Sequence, residues 1–72
     1  MDMRKLVGRN VRRARRERQL TQEQLADVSG FGQQYISDLE RGLRNPTVVT
    51  LYELAQALAT TPTDLLKPDR KR

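Results

Sequence analysis

Apolar residues recur every three or four positions along most of this chain, a spacing that predicts amphipathic helices. The first helix is predicted from Met3 to Arg18, with Leu20 after it as a core anchor. Its inward stripe follows helical spacing and consists of Val7, Val11, Ala14 and Arg18. Its opposite side is strongly basic and carries Lys5, Arg9, Arg12, Arg13 and Arg16.

Two short helices joined by a glycine-containing turn are predicted between Thr21 and Gly42. Thr21 and Gln24 have the spacing of a capping box, which favours a helix start at this point. Gly30 suits the left-handed residue that ends a helix, and Phe31 is expected to plug the turn. The inward side of this helix is predicted to consist of Leu25, Ala26 and Val28.

The second helix of the pair is predicted over Gln33–Arg41, closed by Gly42. Its inward positions at i, i+3 and i+4 are Ile36, Leu39 and Glu40. Its exposed side is expected to carry Gln33, Gln34, Ser37 and Asp38. Two short helices arranged in this way can place the second one in the major groove of DNA.

Two more helices are predicted in the rest of the chain. Thr47 caps the fourth, which has Tyr52 and Glu53 exposed and Val48, Leu51, Leu54, Ala55 and Leu58 buried. The fifth starts at Thr61-Pro62-Thr63-Asp64, a sequence with a cap, a proline at N1 and an acid at N3. It should return Leu65 and Leu66 to the core and stop at Lys67-Pro68. The pattern predicts an all-α, compact five-helix domain over residues 1–66, with a disordered basic tail at 67–72.

Composition excludes several functional classes. The 72 residues are enough for one domain near the lower size limit for a self-sufficient core. The sequence has neither cysteine nor histidine, so it offers no disulfide, thiolate zinc site or histidine acid–base pair. It has no apolar run near the roughly 20 residues of a membrane span and no signal-peptide core. We therefore expect no enzymatic activity, no metal or other cofactor, and a cytoplasmic location.

Charge is distributed unevenly around the net value of +5. Residues 1–18 hold eight basic and two acidic side chains, residues 19–66 hold two and six, and residues 67–72 hold four and one. Such basic ends favour a polyanionic partner, although they also suit a merely solubilising surface. Membrane binding by the basic first helix is disfavoured because its apolar side has only Val and Ala.

The ordered motifs resemble the Cro/repressor class of helix-turn-helix proteins, the Xre family, from about Val7 to Leu66. They are Thr21-Gln22, Leu25-Ala26, Gly30, Ile36-Ser37, Glu40-Arg41-Gly42 and Asn45-Pro46. The resemblance implies a lambda-repressor-like fold and a transcriptional regulator acting on a prokaryotic nucleoid or encoded by a phage. Family members often carry Ser or Thr at the position of Gly32, which has no hydroxyl to offer to DNA.

Base contacts are predicted from Gln33 and Gln34, because an amide can bind an adenine edge through two hydrogen bonds. Ser37 and Asp38 complete the predicted base-contacting set. Ser37 could instead serve packing. The Asp38 carboxylate could accept from a cytosine amino group or repel nearby phosphates.

DNA backbone contacts are predicted from five residues: Gln22, Tyr35, Arg41, Arg44 and Asn45. Gln22 lies at a helix N-terminus, where exposed N–H groups and the helix dipole favour phosphate. The resemblance implies that Gln22 also braces Gln33. Tyr35 could equally be a packing residue.

The resemblance also implies a structural ion pair between Arg15 and Glu40. Together these features predict a sequence-specific regulator of double-stranded DNA, with a palindromic operator and a homodimer. Candidate dimer contacts are Leu65, Leu66 and the residues near Tyr52, and no small-molecule effector is indicated. The alternative is a protein-interaction module of the same fold, such as an antitoxin or a transcriptional adaptor.

Overall fold

Five α-helices follow one another in the computed structural model, which describes residues 2–68. They are α1 Met3–Glu17, α2 Gln22–Ser29, α3 Gln33–Glu40, α4 Val48–Ala57 and α5 Pro62–Leu66. No strand occurs within residues 2–68, and the predicted all-α class is confirmed. The disordered tail was predicted over residues 67–72, of which residues 69–72 lie outside this range.

Side-chain caps define four of the five helix starts. Thr21 and Gln24 form the predicted capping box at the start of α2. Thr47 and Thr61 accept backbone N–H groups of α4 and α5 as predicted, and Asp2 does the same for α1. At the other ends, α1 and α3 each stop one residue earlier than predicted, because Arg18 and Arg41 have left helical geometry and act as caps.

Glycine is required at three points that set the positions of α1, α2 and α3. Gly30 after α2 and Gly42 after α3 have φ values of +84° and +79°, a region that side chains strain to enter. Gly8 permits close contact between α1 and the end of α3, because a Cβ there would lie 2.5 Å from the carbonyl oxygen of Leu39.

The hydrophobic core is formed by side chains of all five helices, with α1 packed against α3 and α5, α2 against α3 and α4, and α4 against α5. Leu20 and Phe31 pack against it as partly buried residues, in agreement with their predicted anchoring roles. The fully enclosed side chains come from all five helices: Leu6, Val11, Leu25, Ile36, Leu39, Leu54, Leu58 and Leu65. The core therefore packs against one side of α3 and leaves the opposite side exposed to solvent.

Several predicted burials are wrong. Val28 is 60% exposed, because it lies roughly 110° around α2 from the direction set by Leu25 and Ala26. Val48 is 81% exposed, since it is the first residue of α4 and precedes the stretch Leu51–Leu58 that packs inward. Leu66 is 39% exposed, because α5 has only five residues and directs the preceding side chain into the core.

Two residues of α1 have roles that the stripe pattern did not predict. Leu6 is buried at 2% exposure, although it lies outside the predicted stripe. Arg18, predicted to be inward, is exposed; its guanidinium donates to the carbonyl oxygens of Leu58 and Ala59 at the end of α4. Basic groups favour such helix C-termini, where carbonyl oxygens lack intrahelical partners.

Hydrogen bonds and an ion pair connect α1 to α5. The buried amide of Asn10 donates to the carbonyl oxygens of Leu65 and Lys67, at 2.9 and 2.8 Å. Asp64 at the start of α5 forms ion pairs with Lys67 and Arg13. The hydrogen bond from Lys67 lowers the pKa of Asp64 below its ordinary value of 3.8, with Thr60 and Arg13 acting in the same direction against the effect of burial.

Candidate nucleic-acid interface

The helix pair α2–α3 presents one polar surface, which we call the α3 surface: Gln33, Gln34, Ser37, Asp38 and Arg41. Gln33 and Gln34 are exposed in the first turn of α3, where the preceding Gly32 supplies no side-chain cap. Ser37 and Asp38 are half-buried, and Arg41 is exposed at the C-terminal end. The two glutamines are therefore accessible at the end of α3 that leaves backbone N–H groups without intrahelical partners.

Asp38 connects two other members of the α3 surface. Its Oδ1 accepts hydrogen bonds from Gln34 Nε2 at 2.9 Å and from Arg41 Nη2 at 3.1 Å. The carboxylate is thus paired with a cation, Arg41, at the C-terminal cap of its own helix. The i, i+4 and i, i+3 spacings of these residues are visible in the sequence and could have predicted the contacts.

An aromatic stack flanks α3 on the side of the following loop. The rings of Phe31 and Tyr35 are stacked, with centroids 5.3 Å apart and planes at 25°. The guanidinium carbon of Arg44 lies 4.7 Å from the Tyr35 ring centroid, a cation–π geometry. Tyr35 is half-buried and packs at the edge of the core, and its ring also contacts the exposed Arg44. Asn45, the next residue along the loop, is exposed as well.

An ion pair on the opposite side of α3 connects it to α1. Arg15 Nε and Nη2 donate to the two carboxylate oxygens of Glu40, at 2.6 and 2.9 Å. The two side chains are 10% and 3% exposed, and Arg15 Nη1 also donates to the carbonyl oxygen of Leu20. This is the pair that the family resemblance implied, and its two-bond geometry restrains both rotation and sliding of α3.

Gln22 extends the same network to the start of α2. Its Nε2 donates to Glu40 Oε1 at 3.1 Å, so the hydrogen bond made by this amide is to Glu40 rather than to Gln33. The predicted bracing of Gln33 by Gln22 stays a prediction. The side chain is half-buried and lies at the N-terminus of α2, where the helix dipole favours an anion.

The described residues offer neither a metal site nor a membrane span. Residues 2–68 contain no group of three His, Cys, Asp or Glu side chains placed to hold a metal ion. No helix within that range is long and apolar enough to cross a membrane. What the geometry does present is a rigidly held helix with exposed amides at its start and arginines near its end, the arrangement of a helix-turn-helix DNA-binding protein.

Comparison with known proteins agrees with this class. A family model described as HTH_3, helix-turn-helix, matches residues 11–65, and the chain belongs to that family. It is 65% identical over 68 residues to the uncharacterized HTH-type transcriptional regulator y4dJ of Sinorhizobium fredii, covering 94% of this chain and 88% of the relative. It is 46% identical over 66 residues to the control protein C.SmaI of Serratia marcescens, covering 92% and 79%.

A solved structure supports the same assignment. The restriction-modification controller protein C.AhdI from Aeromonas hydrophila superimposes with a TM-score of 0.82 at 37% identity, covering 86% of this chain and 94% of that one. Together with the family match, these similarities identify the chain as a DNA-binding transcriptional regulator and not an enzyme.

Proposed function

We propose that this protein is a sequence-specific regulator that binds a two-fold symmetric operator as a homodimer, with α3 of each subunit in the major groove. The observation that carries this proposal is the exposure of Gln33 and Gln34 in the first turn of α3, a helix that the Arg15–Glu40 ion pair connects to α1. The major groove is wide enough for an α-helix, and carboxamides match the donor and acceptor of an adenine edge.

The two glutamines are the proposed base readers, and Ser37 lies deeper on the same side of α3. Ser37 is half-buried, so it would contact a base only where the helix lies close to the groove floor. Asp38 belongs to the same surface, but its carboxylate is hydrogen-bonded to two neighbours on that surface, Gln34 and Arg41.

The residues around α3 are proposed to hold the DNA backbone. Arg41, Arg44 and Asn45 are exposed after the base-reading turn, and Gln22 lies at the N-terminus of α2. Tyr35 supports Arg44 through the cation–π contact. Arginine and amide groups of this kind contact phosphates and set the register of the protein on DNA.

The proposed dimer uses an exposed apolar surface on α4 and α5. Val48, Val49 and Tyr52 are 81%, 63% and 52% exposed on α4, and Leu66 is 39% exposed on α5. Leu65, an earlier candidate for this contact, is enclosed in the core at 0% exposure and drops out. A dimer would place two α3 helices on half-sites about 34 Å apart.

The regulatory role can be narrowed by the named relatives. C.SmaI is a control protein and C.AhdI a restriction-modification controller protein. Control of a restriction-modification operon is therefore the first role to test. The region upstream of a gene pair next to the gene for this protein is placed before a reporter, and reporter expression is measured with and without the protein. Unchanged reporter expression with and without the protein would contradict this role.

The groove-reading part of the proposal is tested by selecting an operator from random duplexes with the full chain. Binding of Gln33→Ala, Gln34→Ala and Arg44→Ala is then measured on the operator, its single-base variants and random duplex. Each glutamine variant should lose about 1–3 kcal/mol of preference at one or two positions. Arg44→Ala should weaken all duplexes alike and flatten the salt slope by about one unit.

Thr63→Ala is the control, because Thr63 is an exposed polar residue on α5 and does not belong to the α3 surface. If both glutamine variants keep the wild-type preferences, α3 does not read the operator. The dimer is tested separately with Val49→Asp and analytical ultracentrifugation, where an unchanged dimer mass would refute the proposed surface.

A further inference from the structure

We propose that Asp38 is a positioning residue for base readout, whose carboxylate sets the orientation of the Gln34 carboxamide while holding Arg41 in an ion pair. The proposal deepens the proposed function and rests on it, because it assigns a role within the same α3 surface. It differs from the direct contact with cytosine that the sequence alone made possible for this carboxylate.

The geometry places Asp38 between its two partners. Gln34 lies one turn before it and Arg41 almost one turn after it, and both donate to the same oxygen, Oδ1, at 2.9 and 3.1 Å. The Asp38 side chain is 20% exposed, whereas that of Arg41 is 63% exposed. The carboxylate therefore lies lower on the helix than the groups it holds, which remain accessible to a ligand.

The chemistry of the carboxylate selects one orientation of the amide. An ionised carboxylate only accepts hydrogen bonds, whereas a carboxamide has one accepting and one donating end. Gln34 must therefore turn its NH2 group toward Asp38, and a flipped amide would place two oxygens against each other. Its Oε1 and its second N–H stay available, and these are the acceptor and donor that an adenine edge requires.

The ion pair also decides how much charge this part of α3 presents to DNA. The negative charge of Asp38 would repel phosphates, and the positive charge of Arg41 offsets it at 3.1 Å. Removing the carboxylate would release the Arg41 guanidinium and leave this part of α3 net positive. Attraction to DNA of any sequence should then increase while the orientation of Gln34 is lost.

The test compares Asp38→Ala, Gln34→Ala and the double variant in the full chain, on the operator selected by the wild type, on its single-base variants and on random duplex. Asp38→Ala should lose preference at the same position as Gln34→Ala, by about 5- to 150-fold, and the double variant should lose little more. Affinity for random duplex should rise with Asp38→Ala, because the positive charge of Arg41, a proposed backbone contact, is no longer offset.

Asp38→Asn is the matched variant, because its amide oxygen can still accept from Gln34 without carrying charge, although its NH2 group no longer excludes the flipped orientation of Gln34. It should keep more of the preference at the Gln34 position than Asp38→Ala does, while raising affinity for random duplex to a similar extent. Thermal melting checks that each variant is folded. Should Asp38→Ala not fold, Asp38→Asn and Arg41→Ala are compared with Gln34→Ala, the first for the orientation of Gln34 and the second for loss of the ion pair.

Two results would overturn the proposal in distinguishable ways. If Asp38→Ala erases preference at a different position from Gln34→Ala, and the two losses add in the double variant, Asp38 contacts a base itself. If Gln34→Ala leaves every preference unchanged, Gln34 does not read the operator, and base readout by this residue in the proposed function fails together with the role of Asp38.

Discussion

Loss of either partner in the Arg15–Glu40 pair should destabilise the domain far more than loss of a neighbouring surface charge. Arg15→Ala would leave the Glu40 carboxylate, 3% exposed, hydrogen-bonded to the neutral amide of Gln22 and without a cation. Glu40→Ala would leave the Arg15 guanidinium, 10% exposed, with a single bond to the carbonyl oxygen of Leu20. In both variants a buried charge loses its counter-ion.

The expected magnitude is large for a chain of this size. Breaking a buried ion pair by removing one partner costs about 3–5 kcal/mol. A 72-residue domain at about 0.05–0.15 kcal/mol per residue has a total stability of about 4–11 kcal/mol. With roughly 4–8 °C of Tm per kcal/mol for domains of this size, even a 3 kcal/mol loss lowers Tm by about 12–24 °C.

The assay is urea unfolding of the wild type, the two single variants and the double variant, with circular dichroism as the probe of unfolding. The double variant removes both charges and leaves no isolated one, so it should lose less than the sum of the single losses, by about 0.5–3 kcal/mol. Arg16→Ala is the control, because Arg16 is the exposed neighbour of Arg15 on α1; it should change stability by no more than about 0.5 kcal/mol.

Strict additivity of the two single variants would refute the reasoning, since residues that bond through two hydrogen bonds must be energetically coupled. So would an Arg15→Ala variant no less stable than Arg16→Ala. That result would mean that the Glu40 carboxylate left behind by Arg15→Ala regains solvent or another partner, so that the pair is not needed to stabilise the fold.

Three further outcomes are expected. Gly8→Ala should destabilise by about 1–3 kcal/mol in urea unfolding, because the new Cβ would meet the Leu39 carbonyl oxygen at 2.5 Å; a gain from helix propensity alone would contradict this. Asn10→Leu should cost about 1–3 kcal/mol by leaving two carbonyl oxygens at the end of α5 without their donor; wild-type stability would show that water replaces the amide. The pKa of Asp64 is lowered below 3.8 in the folded state, chiefly by its hydrogen bond from Lys67. Ionised Asp64 therefore stabilises the fold at pH values above its unfolded-state pKa, and this stabilisation is lost as the pH falls through its folded-state pKa. Asp64→Asn should therefore be less stable than the wild type at neutral pH, and the difference in unfolding free energy should shrink toward the lowest pH; a constant difference would contradict the linkage.

Local sequence signals determined most of the helices and their ends. Capping at Thr21, Thr47 and Thr61 involves residues within three positions of one another, and the required conformations of Gly30 and Gly42 are backbone properties of single residues. Such features need no knowledge of distant parts of the chain. The helix pair and its exposed glutamines could therefore be predicted from local signals, whereas the protein class was implied by the resemblance of the motifs to a known family.

The tertiary structure decided which members of each apolar pattern are buried and which polar groups meet. Val48 fits the apolar spacing of α4 and yet is exposed, because burial depends on whether another helix covers that part of the surface. Asn10 looks like one more polar residue in a basic helix, but its amide terminates a helix more than 50 positions away.

The candidate site shows the same division. Exposure of Gln33 and Gln34 followed from helical spacing, whereas the orientation of Gln34 by Asp38 and the contact of Arg44 with the Tyr35 ring depend on side-chain rotamers and on the path of the loop after α3. Periodicity determines the direction in which a side chain leaves its helix. The partner that the side chain meets depends on how the helices pack. Hydrogen bonds and ring contacts act over only a few ångströms, and the fold decides which groups come within that distance of one another.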